Sequence, residues 1–329
     1  MKVVDMHCDT ISGLVKYQDQ NWSLGENELH IRLDKMEAGE YLLQNFALFV
    51  FAKSGKDPYQ AAVEMADCFD RQMKLFPDRI AQVRSFADIE KCVRERKIGA
   101  MLTIEEGAVI KGSLEKLKEF YDRGVRMMTL TWNFPNEIGF PNVKMTPKGE
   151  KPDFTVPQTK KGLTEFGVSV VEEMERMGMI ADVSHLSDAG FWDVLAHTKK
   201  PFVASHSNAR AVCGHVRNLT DEMIRALGER GGVTGLNFCA DFLETVPEGQ
   251  VNAGTIEDVV RHAKHIVNVG GMDCLGLGSD FDGIDTHAEL TGADKMPLLD
   301  SALEKAGFTV SQREKIFYKN VLRVYQELL

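Results

Sequence analysis

The chain has 329 residues, 43% of them hydrophobic and 27% charged, with a formal net charge of −10 at pH 7. That is the composition of a soluble globular protein, and its acidic balance argues against nucleic acid or an anionic membrane as a partner. No early segment has the basic start, apolar run and small-residue cleavage site of a secretory signal, and no apolar run approaches membrane-spanning length.

The length suits one large α/β barrel or two ordinary domains. Six cysteines, at positions 8, 68, 92, 213, 239 and 274, are scattered without CxxC spacing. They read as reduced thiols of a cytoplasmic protein.

In chain order, the first strand covers residues 3–8 and ends in His7-Cys8-Asp9. On an extended strand side chains alternate, so His7 and Asp9 share a face and Cys8 points away. An imidazole and a carboxylate so placed are plausible joint ligands for a divalent metal. An isolated His-x-Asp is more often an ordinary buried histidine beside a turn aspartate, so the pair needs company.

The second strand is 42–51. A helix follows, opened by Pro58 and closed before Pro77, with Ala62, Met65, Ala66, Phe69, Met73 and Phe76 at helical spacing. The third strand, 98–104, leads into Glu105-Glu106-Gly107, and a helix covers 113–122. The fourth, 125–131, ends at Trp132-Asn133. Residues 133–158 carry five of the ten prolines and read as a long lid or binding loop.

Alternation then resumes. A helix spans 159–177, strand 179–184 ends at His185, and Ser187-Asp188 caps a helix over 189–198. Strand 201–205 ends at His206, and Thr220 caps a helix over 221–229. Strand 232–238 follows, then a Thr255-capped helix over 256–268 with Ile256, Val259, Val260, Ala263, Ile266 and Val267 on one face. The eighth strand, 274–278, ends in Ser279-Asp280-Phe281-Asp282-Gly283, and helices over 297–306 and 311–328 finish the chain. Eight strands, most followed by a helix, predict a single (β/α)8 TIM barrel domain over 1–329 with additional C-terminal helices. In such a barrel the active site lies at the carboxyl ends of the strands.

Five strand ends therefore bring candidate ligands to one mouth: His7 and Asp9, Glu105 or Glu106, His185, His206, and Asp280 or Asp282. A two-metal hydrolase needs this layout, with one carboxylate bridging two cations roughly 3.5–4 Å apart.

The motifs Asp5-Met6-His7-Cys8-Asp9-Thr10, Thr103-Ile104-Glu105-Glu106-Gly107, Asp182-Val183-Ser184-His185, Ser205-His206-Ser207 through Arg217-Asn218, and Gly276-Leu277-Gly278-Ser279-Asp280-Phe281-Asp282-Gly283 jointly resemble the membrane (renal) dipeptidase family of dinuclear-zinc barrels. The resemblance covers essentially the whole chain. It implies two Zn²⁺ per chain, with His7 and Asp9 on one, His185 and His206 on the other, and Glu105 bridging them. Glu106 is the weaker candidate for the bridge. The resemblance also makes Asp280 the catalytic acid/base and Arg217 the grip on the substrate's terminal carboxylate, with Trp132, Asn133 and Asp282 lining the substrate site. An Arg fork suits a carboxylate bidentately.

One departure stands out. Familiar mammalian members carry a histidine after the fourth strand, in a Leu-Thr-His context, whereas this chain reads Leu130-Thr131-Trp132-Asn133. The role of that histidine is vacant here, moved to the metal, or taken by Asn133 or Trp132. The absence of a signal and a lipid-anchor tail resembles soluble bacterial-type members. The expected substrate is a dipeptide, with the latitude toward a D-residue at its C-terminal position that relatives show, and the expected assembly is the homodimer usual among them.

Two rivals remain. A barrel hydrolase acting on cyclic amides, lactones, β-lactams or phosphotriesters commonly shows His-x-His after strand one and a bridging modified Lys, which His7-x-Asp9 and Glu105 do not match. An inactive metal-binding scaffold is encouraged only by Trp132. Among the other histidines, His262 and His265 read as a solvated helix flank. His30, His197 and His287 read as surface residues, and His215, two before Arg217, as a possible neighbour of the pocket.

Overall fold

The computed structural model describes residues 1–144, 152–247, 250, 252–284 and 289–329. Nine parallel strands form its sheet: β1 (Val3–Asp5), β2 (Tyr41–Phe49), β3 (Ile80–Val83), β4 (Ile98–Glu105), β5 (Val125–Thr129), β6 (Ile180–Asp182), β7 (Val203–Ala204), β8 (Val233–Leu236) and β9 (Leu275–Leu277). Eight of them close a barrel in the order β1-β2-β4-β5-β6-β7-β8-β9, sealed where Asp5 pairs with Leu277. This is the predicted (β/α)8 barrel, and each of the eight predicted strands lies in it.

The ninth strand was not predicted. β3 pairs only with β4, aligning Ile80 with Ile98 and Val83 with Met101, and so lies outside the ring. Its Ile-Ala-Gln-Val sequence is too short and too mixed to show a period. The short helices Thr10–Lys16, Leu33–Ala38 and Ala240–Leu243, and the ten-residue Phe86–Glu95, were also missed.

Caps explain most helix boundaries. Ser113, Ser187, Thr220 and Thr255 each accept a backbone N–H of the first turn, as expected for N-cap residues. The helix predicted from 159 begins instead at Glu165, behind the cap Thr164. Residues before it are tied down in irregular structure: Phe140 N–H donates to Gly162 O, and the Gln158 side chain takes the N–H groups of Lys160 and Lys161. The predicted loop 133–158 is partly core, since Ile138, Asn142 and Val143 are buried, and its residues 145–151 lie outside the described residues.

The final helix, predicted as one span over 311–328, is Val310–Glu314, a π-turn at Lys315–Lys319, and Asn320–Leu328. It closes the amino-terminal end of the barrel. Asn320 Nδ2 donates to the carbonyls of Met272 and Leu275, and Val321, Val324, Tyr325 and Leu328 pack onto Val4, Met6, Leu43, Met101 and Val233.

Candidate metal and active site

The opposite end carries the chemistry. His7 follows β1, Asp9 stands at the start of helix Thr10–Lys16, Glu105 is the last residue of β4, and His185, His206 and Asp280 follow β6, β7 and β9. All six are buried. His7 Nε2 lies 3.5 Å from Asp9 Oδ2, 3.2 Å from Glu105 Oε2 and 3.8 Å from Asp280 Oδ1. The other oxygen of Glu105, Oε1, lies 3.0 Å from His185 Nε2 and 3.6 Å from His206 Nε2. Glu105 thus stands between two ligand groups and offers one oxygen to each.

The backbone is forced into this arrangement. Glu106, His185, Asp280 and Asp282 have positive φ of 99°, 69°, 64° and 69°, a region non-glycine residues seldom adopt. Such strain persists only where the surroundings impose it, and it concentrates at functional sites. Gly283 permits the closest approach, because a Cβ there would collide with the Asp9 carboxylate.

One layer below, two buried carboxylates orient the segments that carry the clustered histidines and Asp280. Asp5 accepts hydrogen bonds from Ser279 N (2.9 Å), Ser279 Oγ (2.6 Å) and His7 N (3.3 Å), fastening β1 to the segment after β9. Asp182 accepts from Thr129 Oγ1 (2.6 Å), Ser184 N (3.0 Å), Ser205 N (2.8 Å) and Ser205 Oγ (2.5 Å), fastening the ends of β5, β6 and β7. Because the Ser205 hydroxyl gives its only proton to Asp182, it accepts one from His206 Nδ1 at 2.7 Å. His185 Nδ1 likewise meets Asn133 Oδ1 at 2.9 Å. Both rings therefore turn bare Nε2 atoms inward, 3.1 Å apart.

Two lone pairs face to face repel each other and need a cation between or beside them. Nε2 of His7 and Oδ1 of Asp9 are buried without an aligned hydrogen-bond partner among the described residues. The electrostatics agree. Burial pushes Glu105 up to about 7 against the pull of His7. Burial also drives His185 and His206 well below the usual histidine value, with Arg217 and His7 adding to it. Burial opposes a charged His7, but the carboxylates of Glu105 and Asp9 outweigh it and hold its pKa well above the usual value. Positive charge is thus drawn to the place where these donors meet, and the imidazole and carboxylate set fits a divalent metal. Among the described residues, three groups have donor atoms close enough together that they could hold a metal ion: His7–Asp9–Glu105, Glu105–His185–His206 and His7–His206–Asp280.

Around the cluster, Asp280 Oδ2 accepts from Asn237 Nδ2 at 2.9 Å, and burial raises its pKa. Glu106 is turned away, accepting from Ala108 N (2.9 Å), Asn136 Nδ2 (2.6 Å) and Trp132 N (3.3 Å). Arg217 is 4% exposed. Its guanidinium lies 5.3 Å from the Phe242 ring and within 3.4 Å of Ser207 Oγ and of His206 O, with no carboxylate at ion-pair distance among the described residues. Asp282 accepts from Thr10 Oγ1 (2.7 Å) and His30 N (2.6 Å). A cavity of about 1100 Å³ opens onto the cluster, with Asp9, Glu105, Trp132, Asn133, His185, Asp280 and Asp282 in its wall.

Several residues differ from expectation. His262 is fully buried rather than solvated: Nδ1 accepts Ala209 N–H at 3.1 Å and Nε2 meets Leu243 O at 3.0 Å, because the 209–213 and 240–243 segments cover its helix face. His265 pairs with Asp221 Oδ1 at 2.7 Å. His30 is packed in, its Nδ1 accepting Asp282 N–H at 3.0 Å. His197 is a surface residue, as expected, and His287 lies outside the described residues. His215 Nδ1 accepts the Arg217 backbone N–H at 3.1 Å and its ring packs on Phe242, but it is not in the cavity wall. Cys8 points away from the cluster, toward Asn45 O. The reading of the sequence passed over Asp5, Asp182, Ser205, Ser279 and Asn237. The available signal was the repeated spacing of an aspartate two or three residues before a ligand histidine.

A closed parallel barrel with a buried histidine–carboxylate cluster at its carboxyl mouth has the layout of the metal-dependent barrel hydrolases. Over residues 1–328 the sequence matches the membrane dipeptidase family, peptidase family M19, and the chain belongs to that family. It is 32% identical to an uncharacterized dipeptidase of Schizosaccharomyces pombe over 99% of this chain and 80% of that one. It is 37% identical to an uncharacterized Klebsiella pneumoniae protein encoded beside pqqA, over 76% of this chain and 89% of the other. Two solved structures superpose on it closely. A family M19 dipeptidase described as a metallopeptidase gives a TM-score of 0.89 at 27% identity, covering 100% of this chain and 98% of that one. A Rhodobacter sphaeroides metallopeptidase, bound to a phosphinate mimic of L-Ala-D-Ala, gives 0.88 at 25% identity over 100% and 99%. The chain is a metallo-dipeptidase, a hydrolase of peptide bonds. Among the described residues no helix is long and apolar enough to cross a membrane.

Proposed function

We propose that this enzyme is a dinuclear zinc dipeptidase in which Glu105 bridges the metals, His7 and Asp9 complete one site, and His185 and His206 complete the other. The observation that carries this reading is the split of Glu105, with Oε2 toward His7 and Oε1 toward His185 and His206. Bound there, zinc supplies Lewis acidity toward the scissile carbonyl and acidifies water to near neutral pH.

The chain's own groups do the rest. Asp280, with Oδ2 held by Asn237, has Oδ1 free to take a proton from water and pass it to the departing amine. Arg217, a buried guanidinium without a carboxylate partner among the described residues, receives the substrate's terminal carboxylate. Asp282, already fixed by Thr10 and His30, adds negative charge at the end where the free amine sits, beside Asp9. Asn133 holds His185 in its ligand tautomer, and Trp132 walls the cavity beside it. Acceptance of a D-residue at the C-terminal position fits the mimic bound by the Rhodobacter sphaeroides relative. The setting we propose is a cytoplasmic homodimer, consistent with six unpaired thiols.

Length selectivity tests this reading. Dipeptides are cut, whereas tripeptides and dipeptide amides are cut poorly. Arg217→Met lowers kcat/KM on dipeptides by about 2–5 kcal/mol, the scale for removing one partner of a buried charged pair. The loss is much smaller on a dipeptide amide, which has no carboxylate. Equal losses on both would make Arg217 structural, and efficient tripeptide cleavage would remove the length-measuring site.

A further inference from the structure

The cavity at the mouth is larger than a dipeptide backbone requires. At about 1100 Å³ it stands at the upper end of the range for small-molecule sites, so much of it is left for a side chain. Its wall is not uniform. Going round the barrel, β9 and β1 bring Asp280, Asp282 and Asp9, β2 brings Phe49 and Phe51, and β5 brings Trp132. Further round, after β6, stands His185; Arg217, after β7, lies outside this cavity's wall, beside Ser207 Oγ and His206 O.

The β2–β5 sector is an aromatic wall. Trp132 lies 5.1 Å from Phe49, 5.7 Å from Phe51 and 5.8 Å from Phe134 between ring centroids, and Phe51 lies 5.6 Å from Phe134. Trp132 is fixed from behind, since its backbone N–H donates to Glu106 Oε2. Phe51 is nonetheless 43% exposed, at the cavity rim. A large aromatic left open to water, backed by the rings of Trp132 and Phe134, has apolar surface still to cover. Lys53 stands at the edge of this wall, its Nζ 5.9 Å from the Phe134 ring.

We propose that this wall is the subsite for the N-terminal side chain, and that it makes the enzyme selective for dipeptides whose first residue is bulky and apolar or aromatic. The assignment to the first residue rests on the reading of Arg217 given above. With the carboxylate held beyond β7, and the free amine among the aspartates of β9 and β1, the first residue's side chain falls on the adjoining β2–β5 sector. The carboxylate end lies about half the barrel away, where Phe242 after β8 packs on Arg217. Edge-to-face contact with Trp132 or Phe51 would favour an aromatic ring over an equally large aliphatic chain.

The test is a pair of substrate series, X-Gly and Gly-X, with X as Phe, Leu, Ala and Asp, assayed on the metal-loaded enzyme. Expected are kcat/KM values on the order of 10–100-fold higher for Phe-Gly than for Ala-Gly, and a much flatter Gly-X series. In the rim variant Phe51→Ser the Phe-Gly to Ala-Gly ratio collapses toward one. A flat X-Gly series, a preference confined to Gly-X, or a preference for Asp-Gly through Lys53 would each overturn the proposal while leaving the dipeptidase reading in place. Failure to cut any member of either series would overturn both.

Discussion

The two ends of the barrel are made by the same eight strands and differ in almost everything else. At the amino-terminal end, Val4, Leu43, Met101, Ile180, Val203 and Val233 meet Val321, Val324, Tyr325 and Leu328 of the last helix in an apolar plug. Its conspicuous polar bond runs from Asn45 Nδ2 to Tyr325 OH, at 2.7 Å. At the carboxyl end a histidine–carboxylate cluster lies equally buried, and two of its members, His185 and Asp280, have positive φ. Between them sit Asp5 and Asp182, bonded to the serines and backbone below the cluster. The contrast shows how strain and buried charge are tolerated. At the mouth they gather on the last strand residues and the few that follow them, over a floor that packing makes rigid.

If the ends are separable in this way, damage to one should leave the other's property intact. The largest effects belong to the mouth. Glu105→Gln is expected to lose nearly all activity and at least one metal, while Glu106→Gln, whose parent carboxylate faces Ala108, Asn136 and Trp132, keeps its metal content. The opposite pattern in metal analysis would move the bridge to Glu106. Asp280→Asn should retain metal yet lower kcat by about 10²–10⁴-fold, the usual scale for a general acid–base group. Near-normal turnover in that variant would transfer the proton to another residue.

The plug should respond in stability and not in metal binding. Tyr325→Ala removes a fully buried ring and is expected to cost about 3–5 kcal/mol in denaturant unfolding, with metal content per folded chain unchanged. Loss of metal from the folded variant would show that the two ends are coupled.

A smaller effect concerns His262, which lies outside both. Burial pushes its pKa down to about 4, so the folded protein keeps it neutral where the unfolded chain would protonate it. Its contribution is complete above the unfolded value near 6.5 and is lost as pH falls toward 4. By pH 5 the loss amounts to about 2 kcal/mol at 1.4 kcal/mol per unit. His262→Gln should remove that part of the pH dependence when unfolding free energies at pH 7 and 5 are compared. An unchanged slope would mean that the imidazole is protonated in the fold.

Much of this contrast was legible in the sequence, and the rest was hidden for identifiable reasons. Strand-length apolar runs ending in His7, Glu105, His185, His206 and Asp280 revealed both the barrel and its mouth, because a parallel strand buried on both faces reads as a continuous apolar run. The choice of Glu105 over Glu106 came from family resemblance, and the two side chains do face opposite ways. Strand β3, only four residues long and paired with β4 alone, has no period to detect. His262 misled because a helical wheel marks a polar flank but not the loops that later cover it. The aromatic wall joins residues more than 80 positions apart, Phe49 and Trp132, which only barrel closure brings together.

The central claim is that Glu105 and its four partners hold metal at the mouth, and elemental analysis of active protein purified without chelators tests it most directly. The account predicts about two equivalents of zinc per chain, falling together with activity on chelation and returning together on readdition. Full activity in protein that reproducibly carries one equivalent or none would contradict it.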